Sequence, residues 1–183
     1  MLQEQLIPLR KQQGAALLVA VIMLMVITIL VVYGSQSLLT EQKVASNQND
    51  KAIAFQLAEL ALKSGETYVS TNKPLSGFSD ACKTTPSTTG LCTTSEVAGG
   101  TNARERANVF TGTYANMVSR QCTSCTIGFS VSQQPRYIVE LINSNYTDPV
   151  TGNAGVALYR ITARARGRSL NTQVTLQSYY VVS

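Results

Sequence analysis

Histidine and tryptophan are both absent from the 183-residue sequence, and charged residues make up only 14% of it. The absence of histidine removes the commonest metal ligand and a common general base. Serine and cysteine nucleophiles would therefore lack an obvious partner base, and no glycine-rich phosphate loop follows a predicted strand. The composition consequently argues against an enzyme and against a bound cofactor.

Cysteine is scarce, and its spacing argues against a metal site. The four cysteines contain one C-x-x-C pair rather than two, so a zinc site without histidine would most simply need all four as thiolates. Disulfides suit a domain that is delivered across a membrane into an oxidising space. Three pairings are possible, and the favoured one closes two short loops, Cys82–Cys92 and Cys122–Cys125.

Proline is absent between positions 8 and 74, so nothing in that stretch forces a helix to end. Residues Ala15–Tyr33 carry no charge and, as a helix, would span about 28 Å, close to the hydrocarbon thickness of a bilayer. A cleaved secretory signal is the alternative, but no convincing cleavage site follows Tyr33. The run therefore predicts a retained membrane helix.

An apolar stripe with helical spacing follows the membrane run. It would bury itself against a downstream domain. Glu59 within the stripe is predicted to face solvent, and the alternative is a pair with an arginine of that domain. The stripe consists of Ile53, Leu57 and Leu60, with Ala54, Ala58 and Ala61 beside them.

One helix is predicted across both segments, from about Ala15 to about Ser70. Residues 15–33 would lie in lipid, and residues 34–72 would leave it as the amphipathic half. The polar stretch 46–51 has the weakest helical signal, because it has no apolar face.

Residues 73–134 are rich in threonine, serine, glycine and asparagine, which predicts loops pinned by the cysteines. Residues 102–118 are predicted to form a short helix with Asn102 as its cap. The segment around Cys122 and Cys125 is typical of a turn that enters a strand. This C-x-x-C is therefore interpreted as structural rather than redox-active.

The remaining residues, 135–183, change their hydrophobic period from about 3.6 to about 2 residues. Strands are predicted at 136–142, 156–165 and 172–182. The short gap between the last two favours an antiparallel hairpin. Residues 143–153 are rich in oxygen ligands but lack the spaced aspartates of a calcium loop, so they predict a polar turn.

The second predicted strand would place three apolar side chains on one face and a row of arginines on the other. The arginine face is interpreted as a solvated surface, and the alternative is a docking surface for an acidic partner subunit. Nucleic acid is disfavoured because no aromatic platform accompanies the arginines. The apolar face holds Ile161, Ala163 and Ala165, and the opposite face holds Arg160, Thr162 and Arg164, followed by Arg166 and Arg168.

A half-apolar, half-amphipathic N-terminal helix followed by an antiparallel sheet resembles a type IV pilin, which implies an α+β, pilin-like fold. Three motifs narrow the resemblance to the minor pilins of the PilX family. They are the leader-like junction RKQQGAALLVAVIML, the helical segment NQNDKAIAFQLAELALKSGE and the tail LYRITARARGRSLNTQVTLQSYYVV. Together they cover about half of the chain, roughly residues 10–70 and 156–183.

In that family a prepilin peptidase cuts after the leader glycine and N-methylates the new N-terminus. The resemblance implies cleavage between Gly14 and Ala15, N-methylation of Ala15, and a leader of residues 1–14. Arg10 and Lys11 would keep that bond at the cytoplasmic face of the membrane.

Val19 departs from the major-pilin pattern, in which the fifth mature residue is Glu. In the family, this Glu is thought to pair with the N-terminal amine of the subunit already in place. An unpaired buried charge costs on the order of several kcal/mol, so a subunit with valine is disfavoured behind another subunit but not as the first one. Pili grow from the base, so the first subunit is outermost. The resemblance thus predicts a position at or near the tip, and the alternative is sporadic entry anywhere along the fibre.

The resemblance implies a minor pilin that promotes initiation of the fibre, with a periplasmic or extracellular head at residues 73–183. Expected partners are other minor pilins, the major pilin, the prepilin peptidase and the inner membrane, which a single helix would cross. Residues 76–134 could add adhesion to a host or cell-surface ligand. The remaining alternatives are a pseudopilin of a type II secretion system and a plain membrane-anchored periplasmic domain.

Overall fold

The chain folds as one long helix followed by a five-stranded sheet, which is the predicted α+β, pilin-like layout. It divides into two compact units, Met1–Ser46 and Asn47–Ser183. The structure is a computed structural model, and it describes residues 13–73, 75–94, 101–111, 116–123, 125 and 134–182.

Helix α1 spans Gln13–Thr71, so the predicted single helix is confirmed. The polar stretch 46–51 is helical as well, although it lacks an apolar face. A polar contact holds it instead, because the Asp50 carboxylate accepts hydrogen bonds from the backbone N–H groups of Arg168 (2.5 Å) and Ser169 (3.3 Å). These two groups lie in the turn that follows the second long strand.

The helix packs on the sheet mainly through alanines. Leu60 is 52% exposed, so its predicted place on the buried face is wrong. The two elements approach closely along the buried face of α1, since a Cβ added at Gly65 would lie only 2.6 Å from Ile161 Cγ2. Small residues fill this narrow space at positions 54, 58, 61 and 65, which follow helical spacing, and Leu60 lies about 100° around the helix from position 61. The fully buried alanines are Ala54, Ala58 and Ala61.

Other members of the predicted stripe behave as expected. Leu57 is buried, and Ile53 packs beside it in a partly buried position. Glu59 is exposed, which confirms the prediction that it faces solvent.

The sheet has three long strands, and all three were predicted. Their bounds and those of two short strands are β1 (Leu91–Cys92), β2 (Arg120–Gln121), β3 (Arg136–Tyr146), β4 (Val156–Arg166) and β5 (Gln173–Val182). Strands β4 and β5 form the predicted antiparallel hairpin, and β3 pairs antiparallel with β4. Strand β1 runs parallel to β3, and β2 runs antiparallel to it. The strand order β1-β3-β4-β5 places β5 at one edge of the sheet.

The helix predicted at 102–118 is wrong for the described residues. Over residues 102–111 a single 3₁₀ turn forms, Ala103–Glu105, and Asn102 makes no side-chain capping hydrogen bond. Asn108 adopts a left-handed backbone conformation with φ of 61°, which ends any helical path. Residues 112–115 and the strand predicted after Cys125 lie outside the described residues.

A hydrophobic core packs on each face of the sheet. On one face, a core between α1 and the sheet includes Val69, Tyr159 and Ile161. On the other face, a smaller core gathers Phe110 and Ile138 around the Cys82–Cys92 disulfide. The loops after α1 therefore form a cover over the face of the sheet that points away from the helix.

Candidate functional site

The first segment of α1 presents its apolar side chains outward. Large apolar residues from Leu17 to Tyr33 are between 48% and 73% exposed. The Thr28 hydroxyl donates to the Met25 carbonyl at 2.8 Å, so this polar group is satisfied within the helix. The helix Gly14–Thr71 is long and apolar enough to cross a membrane. An apolar helix with no protein cover suits lipid or a bundle of similar helices.

Gly14, Ala15 and Val19, the residues to which sequence reasoning gave roles, lie in the first turns of this helix. A Cβ added at Gly14 would meet none of the described atoms within 4 Å, so there is space around the backbone at this position. No acidic residue occupies the first turn, and the first carboxylate along α1 is Glu41. Cleavage, methylation and the effect of Val19 stay predictions at this point.

In the head, Glu140 and Arg160 form a buried bidentate pair across β3 and β4. The distances are 2.9 Å from Arg160 Nε to Glu140 Oε2 and 2.7 Å from Arg160 Nη2 to Glu140 Oε1. Their side chains are 2% and 18% exposed, respectively. Hydrogen bonding to Glu140 raises the pKa of the Arg160 guanidinium. The prediction of a solvated face is therefore wrong here, and Thr162 between the arginines is buried too.

The arginine row continues toward the end of β4 with Arg164 and Arg166, which are partly buried. The Arg164 guanidinium carbon lies 4.7 Å from the centre of the Phe110 ring, and its Nε donates to the Thr175 hydroxyl at 3.1 Å. Burial lowers the pKa of Arg164, and the positive charges of Arg166 and Arg104 lower it further. Three guanidinium groups thus repel one another at this corner of the sheet.

The two disulfides pair as predicted, Cys82 with Cys92 and Cys122 with Cys125. The first lies in the core beneath the loop cover, and the second packs against the core between α1 and the sheet. Both therefore fix loops onto folded elements, which agrees with a structural role for the C-x-x-C pair.

Arg120 is a contact residue that sequence reasoning missed. Its Nη2 donates to the Tyr68 hydroxyl (3.0 Å) and the Ser87 carbonyl (2.6 Å), and its guanidinium lies 4.0 Å from the Tyr68 ring centre. The contact joins α1 to the loop cover. Nearby, burial raises the pKa of Tyr137 to about 12. No local sequence signal could have shown this contact, since its partners are far apart in the chain.

Acidic side chains in the described head are used for turns and pairs. Within the described ranges, no three histidine, cysteine, aspartate or glutamate side chains converge as a metal site would require. In the oxygen-rich loop, the Asp148 carboxylate accepts hydrogen bonds from the Thr151 hydroxyl (2.6 Å) and the Val150 N–H (3.0 Å). These bonds lower the pKa of Asp148, and the bond from the Thr151 hydroxyl contributes most. They close the loop as a polar turn.

Comparison with known families agrees with this layout. A family model described as PilX N-terminal matches residues 13–63, and one described as Type IV pilus assembly protein PilX C-term matches residues 63–182. Neither a curated protein nor a solved structure shows a significant match to the chain. The two family matches together take in all of α1 and all three long strands. The chain therefore belongs to the PilX family of type IV pilus assembly proteins, whose members are minor pilins and structural components of the pilus.

Proposed function

We propose that this minor pilin helps to initiate the fibre and occupies a position at or near its tip. Before assembly it would be a single-pass protein of the inner membrane, with its N-terminus in the cytoplasm. Its parts would be a leader (1–14), a membrane helix (15–33), an amphipathic half-helix (34–72) and an exported head (73–183). Its partners would be other minor pilins and the major pilin.

The observation that carries the proposal is the lack of a carboxylate near the start of α1. Position 19 is valine, and no acidic residue precedes Glu41 in the helix. If the chain is cut after Gly14, Val19 is the fifth mature residue, at which the major pilins carry Glu. This subunit then has no carboxylate to offer to the amine of a subunit already in place.

The energetic consequence favours entry as the first subunit. An amine left unpaired in an apolar bundle costs on the order of several kcal/mol, and each 1.4 kcal/mol is about a tenfold change in an equilibrium. A cost of about 3 kcal/mol would thus reduce entry behind another subunit about a hundredfold. The cost does not arise for the subunit that enters first, and that subunit ends at the tip.

A Val19→Glu variant tests the position. Immunogold labelling of isolated fibres should mark only the ends for the wild type and should spread along the shaft for the variant. Val21→Glu is the matched control, because Val21 is also valine and is similarly exposed (57% against 56%), but lies two residues further along the helix. Identical labelling of the shaft by the wild type and Val19→Glu would refute the proposal. So would equal spreading with Val21→Glu.

Cleavage of the leader is tested by a substitution at Gly14. A Gly14→Phe variant should remain uncleaved in the inner membrane, and the wild type should yield a mature N-terminal peptide with the mass of N-methylalanine. Immunoblotting and mass spectrometry give the two readouts. Normal cleavage of Gly14→Phe would show that the site is wrong. Loss of piliation on deletion, restored by the wild type but not by Gly14→Phe, would exclude a plain membrane-anchored module.

A further inference from the structure

Strand β5 is a long edge strand without the features that usually protect such edges. Within the described part of the chain it pairs only with β4, and that pairing runs without interruption from Gln173 to Val182. Its sequence QVTLQSYYVV contains no charge, no proline and no glycine. Native proteins protect edge strands by charge, proline, bulges or short length, because free N–H and C=O groups attract other strands. None of these devices is present in β5.

The side chains of β5 favour an additional neighbouring strand. On the face toward α1, Leu176 and Tyr180 pack on the helix-side cores but are only partly buried. On the opposite face, Tyr179 is 63% exposed. A strand added at this edge would remove these apolar groups from water and complete the cores from the open side.

Positive charge lies directly beside this edge. Arg164 is opposite Thr175 in the β4–β5 register and reaches over β5 to its hydroxyl, and Arg166 is opposite Gln173. Strands β3, β4 and β5 contain a single acidic residue, Glu140, and Arg160 occupies it. The guanidinium groups next to the edge therefore have no acidic residue within these strands left to balance them.

We propose that the free edge of β5 binds an extended segment of a partner protein, with carboxylates at alternate positions that face Arg164 and Arg166. Side chains on a strand alternate between its two faces, so every second residue of the added strand would lie on the arginine side. Strands are spaced about 4.8 Å apart, so a glutamate on the added strand can reach a guanidinium that already extends over β5. Backbone bonds would provide the binding, and the arginines would select an acidic sequence.

A second copy of this chain fits the edge less well. If it paired through its own β5, that strand would offer no acidic residue to the arginines. The net charge of +5 also disfavours self-association. The inference goes beyond the proposed initiation role and does not depend on Val19.

Binding can be measured with the full chain in non-ionic detergent and three fluorescent nine-residue peptides, in which threonine alternates with glutamate, glutamine or lysine. Fluorescence anisotropy should show the glutamate peptide binding at least about tenfold more tightly than the glutamine peptide, and the lysine peptide binding most weakly. Hydrogen exchange of the β5 amides should slow when the glutamate peptide is bound, because the added strand pairs with their free groups.

Two sets of variants separate charge from backbone pairing. Replacing both arginines, Arg164→Gln with Arg166→Gln, should make the glutamate and glutamine peptides bind equally. Lys63→Gln with Lys83→Gln is the control, because it also removes two positive charges, but from exposed positions on α1 and in a loop rather than from β4. Along an edge strand, every second backbone N–H points outward, and the N–H groups between them bond to the neighbouring strand. One of the two variants Leu176→Pro and Gln177→Pro therefore removes an outward N–H and should keep the circular dichroism of the wild type. That variant should no longer bind any of the three peptides.

Several results would overturn the proposal. Equal affinity for the three peptides would refute the selection of an acidic sequence. No binding of any of them would refute strand addition. Slower β5 exchange in a dimer without peptide would identify a second copy as the occupant. Competition by phosphatidylglycerol vesicles that also protect β5 would identify an anionic lipid surface instead.

Discussion

Replacing Arg160 by methionine should destabilise the head strongly, because it leaves Glu140 charged and buried. The Glu140 side chain is 2% exposed, and both of its oxygens accept hydrogen bonds from Arg160. Breaking a buried pair by removing one partner typically costs about 3–5 kcal/mol. Domains are stable by about 5–15 kcal/mol in total, so the loss would be a large fraction of the whole.

The paired replacement Glu140→Leu with Arg160→Met predicts a different outcome. Removing both charges removes the desolvation cost together with the attraction, so the double variant should be within about 1 kcal/mol of the wild type or more stable. The difference between single and double variants is what separates a stranded charge from lost packing. Lys83→Met serves as the control for a charge lost at an exposed loop position, and it should change stability by less than about 0.5 kcal/mol.

Urea unfolding in detergent provides the measurement. The chain has no tryptophan and eight tyrosines, so tyrosine fluorescence and near-ultraviolet circular dichroism report on the head. With a urea slope of about 2 kcal/mol/M, a loss of about 4 kcal/mol would lower the midpoint by about 2 M. The reasoning is refuted if Arg160→Met costs less than about 1 kcal/mol, or if the double variant is as unstable as the single one.

Two further predictions follow from contacts of α1. Gly65→Ala should destabilise the head by up to about 2 kcal/mol in urea unfolding. Overpacking against Ile161 costs about 1–3 kcal/mol, and the higher helix propensity of alanine offsets about 1 kcal/mol of that cost. A variant more stable than the wild type would contradict the close approach of α1 to the sheet. Hydrogen bonds lower the pKa of the Asp50 carboxyl below its ordinary value of 3.8, and the bond from the Thr172 side chain contributes most. The stability that Asp50 contributes is therefore present above pH 3.8 and is lost as the pH falls through the lower pKa of the folded state. The stability difference between the wild type and Asp50→Asn should therefore shrink in urea titrations below pH 3.8, and a difference that is constant with pH would contradict this account.

Periodicity predicted the elements well because it is a local property of the chain. The period-2 pattern located all three long strands, and the proline-free stretch located α1. The polar stretch 46–51 is the exception, since a long-range contact of Asp50 supports it. Such a contact leaves no periodic signal in the sequence.

Burial was harder to predict, because it depends on what covers each element. The arginine face of β4 has the alternation of a solvated strand, yet Thr162 is buried and Arg160 is paired with Glu140, on the face where Phe110 and the Cys82–Cys92 disulfide pack. The loops after α1 have little hydrophobic periodicity, so the sequence did not predict that they would cover this face. The prediction for Leu60 was wrong for a related reason, since hydrophobicity alone does not show which line of positions along a helix meets the sheet.

Both disulfides lie before β3 in the chain, and neither joins α1 to the hairpin of β4 and β5. The contact of α1 with this hairpin is consequently made of packing and hydrogen bonds, with no covalent link, and it can close while the thiols are still reduced. Oxidation would then act on the loops between α1 and β3. Maturation of this subunit would thus have an order in time, in which thiol chemistry comes last and fixes these loops on a scaffold that is already packed.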